Sequence, residues 1–174
     1  MFKRLLPDQI VNTVFDIDLD ELKARGVKGI ITDLDNTLVS ARTPLATPEL
    51  VGWLDIVKDL GFKVVILSNN NNSRVSKFAE PLGIPFIPAA RKPAGASFRR
   101  ALRLMNLAPE HAVVVGDQML TDVLGGRRAG LHTLLVTPIA PREEGWATQI
   151  NRRIEKIALA RLRKKGLWPE KGGN

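Results

Sequence analysis

Cysteine and tyrosine are absent from the 174 residues of this chain, and histidine occurs only twice, as His111 and His132. The lack of cysteine excludes disulfides, thiol nucleophiles and zinc or iron–sulfur sites with cysteine ligands. Two histidines are also too few for a histidine-rich metal site. We expect both to have structural roles.

Long hydrophobic runs are also absent. No apolar stretch approaches the roughly 18 residues that a membrane span needs. The start, MFKRLLPDQIV, carries charge, and Pro7 and Asp8 interrupt its short apolar run, so we expect no signal peptide. The expected location is therefore the cytoplasm.

Acidic residues are in the minority. The chain has 26 Lys and Arg against 18 Asp and Glu, a net charge of +8. This excess favours anionic partners such as phosphate compounds, nucleic acid or an acidic membrane, unless the surface is simply basic. With three Trp, six Phe and no Tyr, base stacking has little support, and we expect no nucleic-acid partner. The sequence leaves the oligomeric state open.

Short apolar runs alternate with helical segments along the middle of the chain. This order predicts a single α/β domain of the Rossmann-like type, with a five-stranded parallel sheet covered by helices. We divide the chain into a lead-in with a short helix (1–27), a core (28–137) and a basic helical tail (138–174). The predicted strands are Lys28–Thr32, Lys63–Leu67, Ile84–Ile87, Ala112–Val115 and His132–Val136.

Capping signals mark the predicted helices. Asp18 and Glu21 form a capping-box pattern for the lead-in helix, and Thr47 followed by Pro48 opens a helix that ends near Leu60. The other predicted helices span residues 73–81, 94–106, 119–129 and 143 to about 165.

Polar residues follow four of these strands where each strand ends. In a parallel sheet such ends meet along one edge, where ligands bind. The residues are Asp33 and Asp35, then Ser68 and Asn69, then Lys92, and finally Asp117 with Asp122 five residues later.

This set of side chains suits phosphoryl chemistry. Asp33, Asp117 and Asp122 could surround Mg²⁺, which prefers oxygen ligands and would offset the repulsion between the carboxylates. Lys92 adds a positive charge, Ser68 could hold phosphate oxygens where a helix begins, and a carboxylate can act as the nucleophile. Each residue also has a plain alternative: Asp122 as a turn or cap residue, Ser68 as a cap, Lys92 as solvated surface.

The ordered motifs DLDNT, SN, KP and GDQMLTD resemble those of the haloacid dehalogenase (HAD) superfamily of phosphatases. The resemblance implies that Asp33 is the nucleophile and a Mg²⁺ ligand, and that Asp35 is the general acid/base and ligates the metal through its carbonyl. It also implies that Lys92 stabilises the intermediate, that Asp117 and Asp122 serve the metal, and that the phosphate site includes Ser68, Asn69 and Thr37, the last also supporting its loop.

The spacing of the motifs leaves no room for a cap domain. The 30 residues between Thr37 and Ser68 are used by one helix and one strand, and so are the 23 between Ser68 and Lys92. An uncapped site suits a large substrate, or one that a surface presents. A neighbouring subunit could instead close such a site, and small substrates would then also be possible.

The tail predicts a basic amphipathic helix. We expect its apolar stripe either to contact an anionic membrane surface or to pack on the sheet, and we expect no basic residue of the helix to join the strand-end site. The stripe is Trp146, Ile150, Ile154, Ile157 and Ala158, and the basic side is Arg152, Arg153, Lys156 and Arg163.

The lead-in VFDIDLDELKARGVKGIITDLDNTL and the tail INRRIEK resemble the YqeG family, in subfamily IIIA of the HAD phosphatases. Its eukaryotic relatives are phosphatidylglycerophosphate phosphatases. The resemblance implies a Mg²⁺-dependent enzyme that converts this lipid to phosphatidylglycerol, with peripheral contact at the inner face of the membrane. The alternatives are a soluble phosphatase for a sugar phosphate, a nucleotide or a nucleic-acid end, and a binding protein without catalysis.

Overall fold

The computed structural model describes residues 2–141 and 146–168, and within them a single sheet of six parallel strands forms the centre of the molecule. The strand order is β1-β6-β5-β2-β3-β4. Because every neighbouring pair of strands is parallel, all the carboxyl ends lie at the same edge of the sheet. The strands are β1 (Gln9–Val11), β2 (Gly29–Thr32), β3 (Lys63–Leu67), β4 (Phe86–Ile87), β5 (Ala112–Gly116) and β6 (His132–Val136).

The α/β parallel-sheet prediction is confirmed, but the predicted number of five strands is wrong. The additional strand, β1, comes from the lead-in and pairs with the outer strand β6, with Ile10 opposite Leu135. It has only three residues, all of them half-buried. Such a segment lacks the continuous apolar run that marks a buried strand, and only its partner strand reveals it.

The helices are α1 (Leu19–Ala24), α2 (Pro48–Asp59), α3 (Asn72–Ala79), α4 (Gly95–Met105), α5 (Leu124–Arg128) and α6 (Trp146–Lys164). Both predicted caps are present. The Asp18 carboxylate accepts a hydrogen bond from the Glu21 N–H at 2.8 Å, and the Thr47 hydroxyl accepts one from the Leu50 N–H at 3.2 Å. These bonds satisfy N–H groups that the first turn of a helix leaves without a partner.

The helix predicted over residues 119–129 is divided in two. Residues Met119–Val123 form a wide turn in which the Val123 N–H donates to the Gln118 carbonyl, five residues back, and only then does α5 begin. Asp122 is buried within this turn. Turns of this width often occur at functional sites, because they redirect one side chain without ending the helix.

Two apolar layers cover the sheet. Helices α1, α2 and α3 pack on one face, with Leu22, Leu54 and Phe78 among the buried side chains. Helix α4 covers the other face with Phe98 and Leu102. The alternation of side chains along each strand supplies both layers, because successive residues point to opposite faces.

The terminal helix α6 packs with a different face from the one predicted. Ala158 and Leu162 are buried in a small cluster with Leu5 of the N-terminal turn, whereas Ile154 and Ile157 are about half exposed. The side chain of Trp146 and residues 143–145 at the predicted helix start lie outside the described residues. The predicted stripe is therefore split: Ala158 packs, and its isoleucines face outward.

No helix among the described residues is long and apolar enough to cross a bilayer. Within the described core, the chain between Thr37 and Ser68 contains helix α2 and strand β3, and the chain between Ser68 and Lys92 contains helix α3 and strand β4. The expected absence of an inserted cap domain is therefore confirmed for these fully described segments.

Candidate active site

Three buried carboxylates meet at the carboxyl edge of the sheet. Asp33 follows β2, Asp117 follows the neighbouring strand β5, and Asp122 lies in the wide turn beyond it. Among the described residues these three form a group whose potential ligand oxygens all lie within 4.8 Å of one another. Each of them is at most 6% exposed, so water does little to screen their mutual repulsion.

Lys92 places a positive charge against two members of this cluster. Its Nζ donates hydrogen bonds of 2.7 Å to Asp33 Oδ1 and to Asp122 Oδ1. Asn69 fixes the main chain at this point, since its Oδ1 accepts from the Lys92 N–H at 2.7 Å and its Nδ2 donates to the Lys92 carbonyl at 3.3 Å. One side chain after β3 thus aligns the lysine that follows β4.

Burial strongly affects the charges of the cluster. It raises the pKa of Asp33 well above its usual value, although the Lys92 ammonium opposes the change. It likewise raises the pKa of Asp117 from 3.8 to about 6, against the Arg152 guanidinium. Burial alone would lower the pKa of Lys92, but the carboxylates of Asp122 and Asp33 outweigh it and raise that pKa. Three carboxylates thus share two cations, Lys92 and Arg152, so the fully ionised cluster has an excess of negative charge.

Asp35 is held by partners that none of the sequence motifs indicates. Arg74 of α3 donates to Asp35 Oδ1 from Nε at 3.1 Å and from Nη2 at 2.9 Å, and Asn70 donates to the other carboxylate oxygen at 2.9 Å. The carboxylate is half-buried at the edge of the cavity described below. Its orientation is therefore fixed from the loop and helix that follow β3.

Asp117 accepts hydrogen bonds from two sides. The Thr37 hydroxyl donates to its Oδ1 at 3.1 Å, and the Arg152 guanidinium of α6 donates to its Oδ2 and, at 2.7 Å, to its carbonyl. The expectation that no basic residue of the tail joins the strand-end site is therefore wrong for Arg152. The helical pattern placed Arg152 on a solvated side, but α6 packs through Ala158 and Leu162, which turns Arg152 toward the sheet.

An open cavity of about 330 Å³ lies over the cluster. Its lining includes Ser68, buried beneath it, whose Oγ accepts a hydrogen bond from the Asn70 N–H at 3.1 Å. Thr37 is not among the residues that line it, and its hydroxyl contact with Asp117 fits a role in supporting the loop. The predicted residues that do line the cavity are Asp33, Asp35, Ser68, Asn69 and Lys92.

Asn36 anchors the loop that carries the first two acids. Its φ of 63° lies in the left-handed region, which Asn tolerates better than most residues. Its carbonyl accepts from the Ile139 N–H, and its side-chain oxygen accepts from the Ala140 N–H at 3.1 Å. The loop after β2 is thus joined to the segment that follows β6.

Comparisons with known proteins agree with this architecture. A HAD-hydrolase-like family model matches residues 89–144. The cobalt-bound deoxy-D-mannose-octulosonate 8-phosphate phosphatase of Haemophilus influenzae has the same fold, with a TM-score of 0.55 at 15% identity over 78% of this chain and 91% of that one. The fold and the match over residues 89–144 point to the class of HAD-type hydrolases.

Two curated relatives are more specific. The probable phosphatase YqeG of Bacillus subtilis is 55% identical over 170 residues, which cover 97% of this chain and 98% of that protein. The chain therefore belongs to the YqeG family of HAD phosphatases, as its lead-in and tail segments predicted. A phosphatidylglycerophosphate phosphatase of Arabidopsis thaliana is 29% identical over 95% of this chain, but the chain spans only about half, 50%, of that protein.

Proposed function

We propose that this phosphatase uses Mg²⁺ and an aspartyl-phosphate intermediate, and that its substrate is the terminal phosphate of phosphatidylglycerophosphate. The observation that carries the proposal is the buried group of Asp33, Asp117 and Asp122 facing Lys92 beneath an open cavity. This set of oxygen donors, with its excess negative charge, fits a hard divalent cation.

The acidic residues would hold the cation through the carboxylates of Asp33, Asp117 and Asp122 and the carbonyl of Asp35. When bound, the ion supplies positive charge that stabilises the transferring phosphoryl group. Lys92 adds a second positive charge on the same side, because its ammonium already contacts Asp33. Ser68 and Asn69 line the cavity where the phosphate oxygens would bind.

The chemistry would proceed in two displacements. An Asp33 oxygen attacks phosphorus as the bond to the alcohol oxygen breaks, and Asp35 donates the proton that the leaving alcohol requires. Asp35 then accepts a proton from water, whose oxygen attacks the aspartyl-phosphate, releasing phosphate and restoring the Asp33 carboxylate. The contacts of Arg74 and Asn70 with Asp35 would keep its carboxyl group at the edge of the cavity, within reach of the leaving alcohol and of the attacking water.

The lipid substrate is supported by the plant relative and by the open site. A lipid that keeps its acyl chains in the bilayer offers only its headgroup, which an uncapped cavity can accept.

The tail adds a surface that could approach the bilayer. A groove of about 520 Å³ has apolar walls that include Ile154 and Ile157, with arginines around it. We propose that this face contacts an anionic bilayer, through burial of the isoleucines and attraction of the arginines. The arginines of the groove are Arg4, Arg128 and Arg161.

A hydrolysis screen tests the proposed reaction. The purified full chain is assayed with phosphatidylglycerophosphate in vesicles, sugar phosphates, nucleotides and a small aryl phosphate, each in Mg²⁺ and in EDTA. We expect activity that requires Mg²⁺ and a preference for the lipid. Full activity in EDTA would contradict the metal site, and better turnover of a sugar phosphate would favour the soluble-phosphatase alternative.

A further inference from the structure

Helix α6 reaches the acidic cluster through an ion pair within the helix. Arg152 and Glu155 are three residues apart, with Arg152 Nη1 3.5 Å from Glu155 Oε2. Arg152 contacts the carbonyl and the carboxylate of Asp117, and Glu155 Oε1 accepts a hydrogen bond from the Leu120 N–H at 2.9 Å. The segment from Asp117 to Leu120 is therefore bound at both ends, at Asp117 by Arg152 and at Leu120 by Glu155.

This segment connects two of the proposed metal ligands. Asp117 begins it, and Asp122 follows it, with Asp122 Oδ2 accepting from the Gln118 N–H at 3.1 Å. Thr37 on Oδ1 and Arg152 on Oδ2 engage both oxygens of Asp117. A carboxylate held on both oxygens keeps one orientation.

The ion pair does not account for the docking of α6. Ala158 and Leu162, further along the helix, are almost completely buried and supply the apolar contact. Glu155 is 6% exposed, and removing such charges from water usually costs about as much as their attraction returns. A pair that adds little to stability and yet contacts Asp117 points to a role in the site.

We propose that Arg152 and Glu155 are positioning residues, which hold the Asp117 carboxylate in the orientation that the divalent cation requires. The inference rests on the proposed metal site. Groups that orient metal ligands typically change metal affinity or activity by about 10- to 100-fold when they are removed. Arg152 uses two nitrogens to contact the carbonyl and the carboxylate of Asp117. Such a contact requires a guanidinium, since an ammonium cannot place two donors in one plane.

Calorimetric titration of the metal-free full chain with Mg²⁺ tests the proposal without relying on activity. We expect Arg152→Gln to weaken Mg²⁺ binding about 10- to 100-fold. Arg152→Lys should lose less affinity, since the ammonium can still donate one hydrogen bond to Asp117. Arg153→Gln is the matched control, because Arg153 is the neighbouring arginine on the exposed side of α6 and should bind Mg²⁺ like the wild type.

Steady-state kinetics give a second readout. Saturating Mg²⁺ should restore most of kcat in Arg152→Gln, and the KM for substrate should change little, because Arg152 is not among the residues that line the cavity over Lys92. Glu155→Gln should show the same pattern more weakly, since its amide oxygen can still accept from the Leu120 N–H.

Three results would overturn the inference. Tighter Mg²⁺ binding by Arg152→Gln would mean that the guanidinium competes with the cation. Unchanged Mg²⁺ affinity in Arg152→Gln, together with a lowered melting temperature, would mean that the contact of Arg152 with Asp117 only stabilises the fold. If Arg152→Gln does not fold, wild-type affinity in Arg152→Lys and Glu155→Gln would likewise reject it. Failure of the wild type to bind Mg²⁺ would instead reject the proposed metal site, and this inference with it.

Discussion

Asp33 and Lys92 illustrate how single residues set the chemistry of this site. Burial makes the charged form of Asp33 unfavourable, and the ammonium of Lys92 at 2.7 Å partly compensates it. Lys92 shares its charge with Asp122, so one cation serves two carboxylates, and Asp117 lies in the same group. A cluster with this imbalance favours either proton uptake or cation binding, and both can be measured.

The nucleophile is the first residue-scale prediction. Asp33→Asn should lower the hydrolysis rate by several orders of magnitude, because the amide cannot form the acyl-phosphate. The melting temperature of the metal-free protein should not fall, since the change removes one charge from a crowded acidic group. Asp55→Asn, on the exposed side of α2, is the control and should keep full activity. Substantial turnover by Asp33→Asn would reject Asp33 as the nucleophile.

A second residue-scale prediction concerns pH. Burial raises the pKa of both Asp117 and Glu155 to about 6, so the folded state binds protons more tightly than the unfolded state. The stabilisation from this difference is complete below the unfolded pKa values near 4 and is lost as the pH rises through about 6. In EDTA, unfolding should therefore become easier between pH 5 and pH 7.5, by on the order of 1 kcal/mol per group.

Thermal unfolding measured across this range checks the prediction. Mg²⁺ should make the slope shallower, because the cation stabilises the ionised carboxylates. The double variant Asp117→Asn with Glu155→Gln should also flatten it in EDTA. A melting temperature that does not change with pH in EDTA would contradict the stated pKa shifts.

At the scale of elements, the end of β5 is tightly packed against the turn that follows it. The wide turn Met119–Val123 carries Asp122 back over the strand end, where it contacts Lys92. This return brings Asp122 against Gly116. A side chain at position 116 would place its Cβ 2.3 Å from the Asp122 carboxyl carbon, far inside normal contact distance. The element works only with glycine at that position.

Gly116→Ala should therefore destabilise the protein by about 1–3 kcal/mol, since the added methyl group must displace a buried carboxylate. Activity should fall in the same variant, because Asp122 and Lys92 move together. Gly52→Ala is the matched control: nothing lies within 4 Å of the point that a Cβ would occupy on this exposed face of α2, and alanine there should stabilise the helix by about 0.5–1 kcal/mol. Denaturant unfolding measures both, and equal stability of the two variants would contradict the prediction.

At the scale of the whole molecule, the terminal helix α6 connects the acidic edge of the sheet with an exposed apolar surface. One side of the helix carries Arg152 to Asp117, and another presents Ile150, Ile154 and Ile157, which are 45%, 48% and 56% exposed. The outward isoleucines lie on the same helix that contacts Asp117 through Arg152. A membrane surface bound there would lie on the element that also contacts the proposed metal ligand.

Vesicle flotation tests the proposed membrane contact. Replacing Ile154 and Ile157 with Ser should weaken binding to anionic vesicles about tenfold or more, because each loses apolar area that the bilayer would bury. The control is the double variant Ile56→Ser with Leu104→Ser, which removes side chains of similar exposure, 55% and 54%, from α2 and α4. The control pair should bind vesicles like the wild type.

Enzyme assays separate membrane contact from folding. Hydrolysis of vesicle-borne lipid should fall in the isoleucine variant, while hydrolysis of a small aryl phosphate should not change. Equal losses on both substrates would mean that the isoleucines support the fold. No vesicle binding by the wild type would contradict the membrane proposal.

The sequence by itself determined the sheet class, the chain order of the elements and the acidic strand ends. Those features are local: a buried strand is a continuous apolar run, a helix start has a capping residue, and a parallel sheet brings strand ends to one edge. Asp33, Ser68, Lys92 and Asp117 could be selected on that ground alone. The caps at Asp18 and Thr47 followed from the same kind of signal.

Only the tertiary structure decided which distant side chains support the acids. Arg74 contacts Asp35 across 39 positions of sequence, and Arg152 contacts Asp117 across 35. No periodicity marks such a pair, since a guanidinium on an amphipathic helix gives the same pattern whether it faces solvent or a carboxylate. The choice depends on how the helix is rotated on the sheet, and the burial of Ala158 and Leu162 sets that rotation for α6. The short strand β1 was decided in the same way, by the edge of β6 against which it pairs.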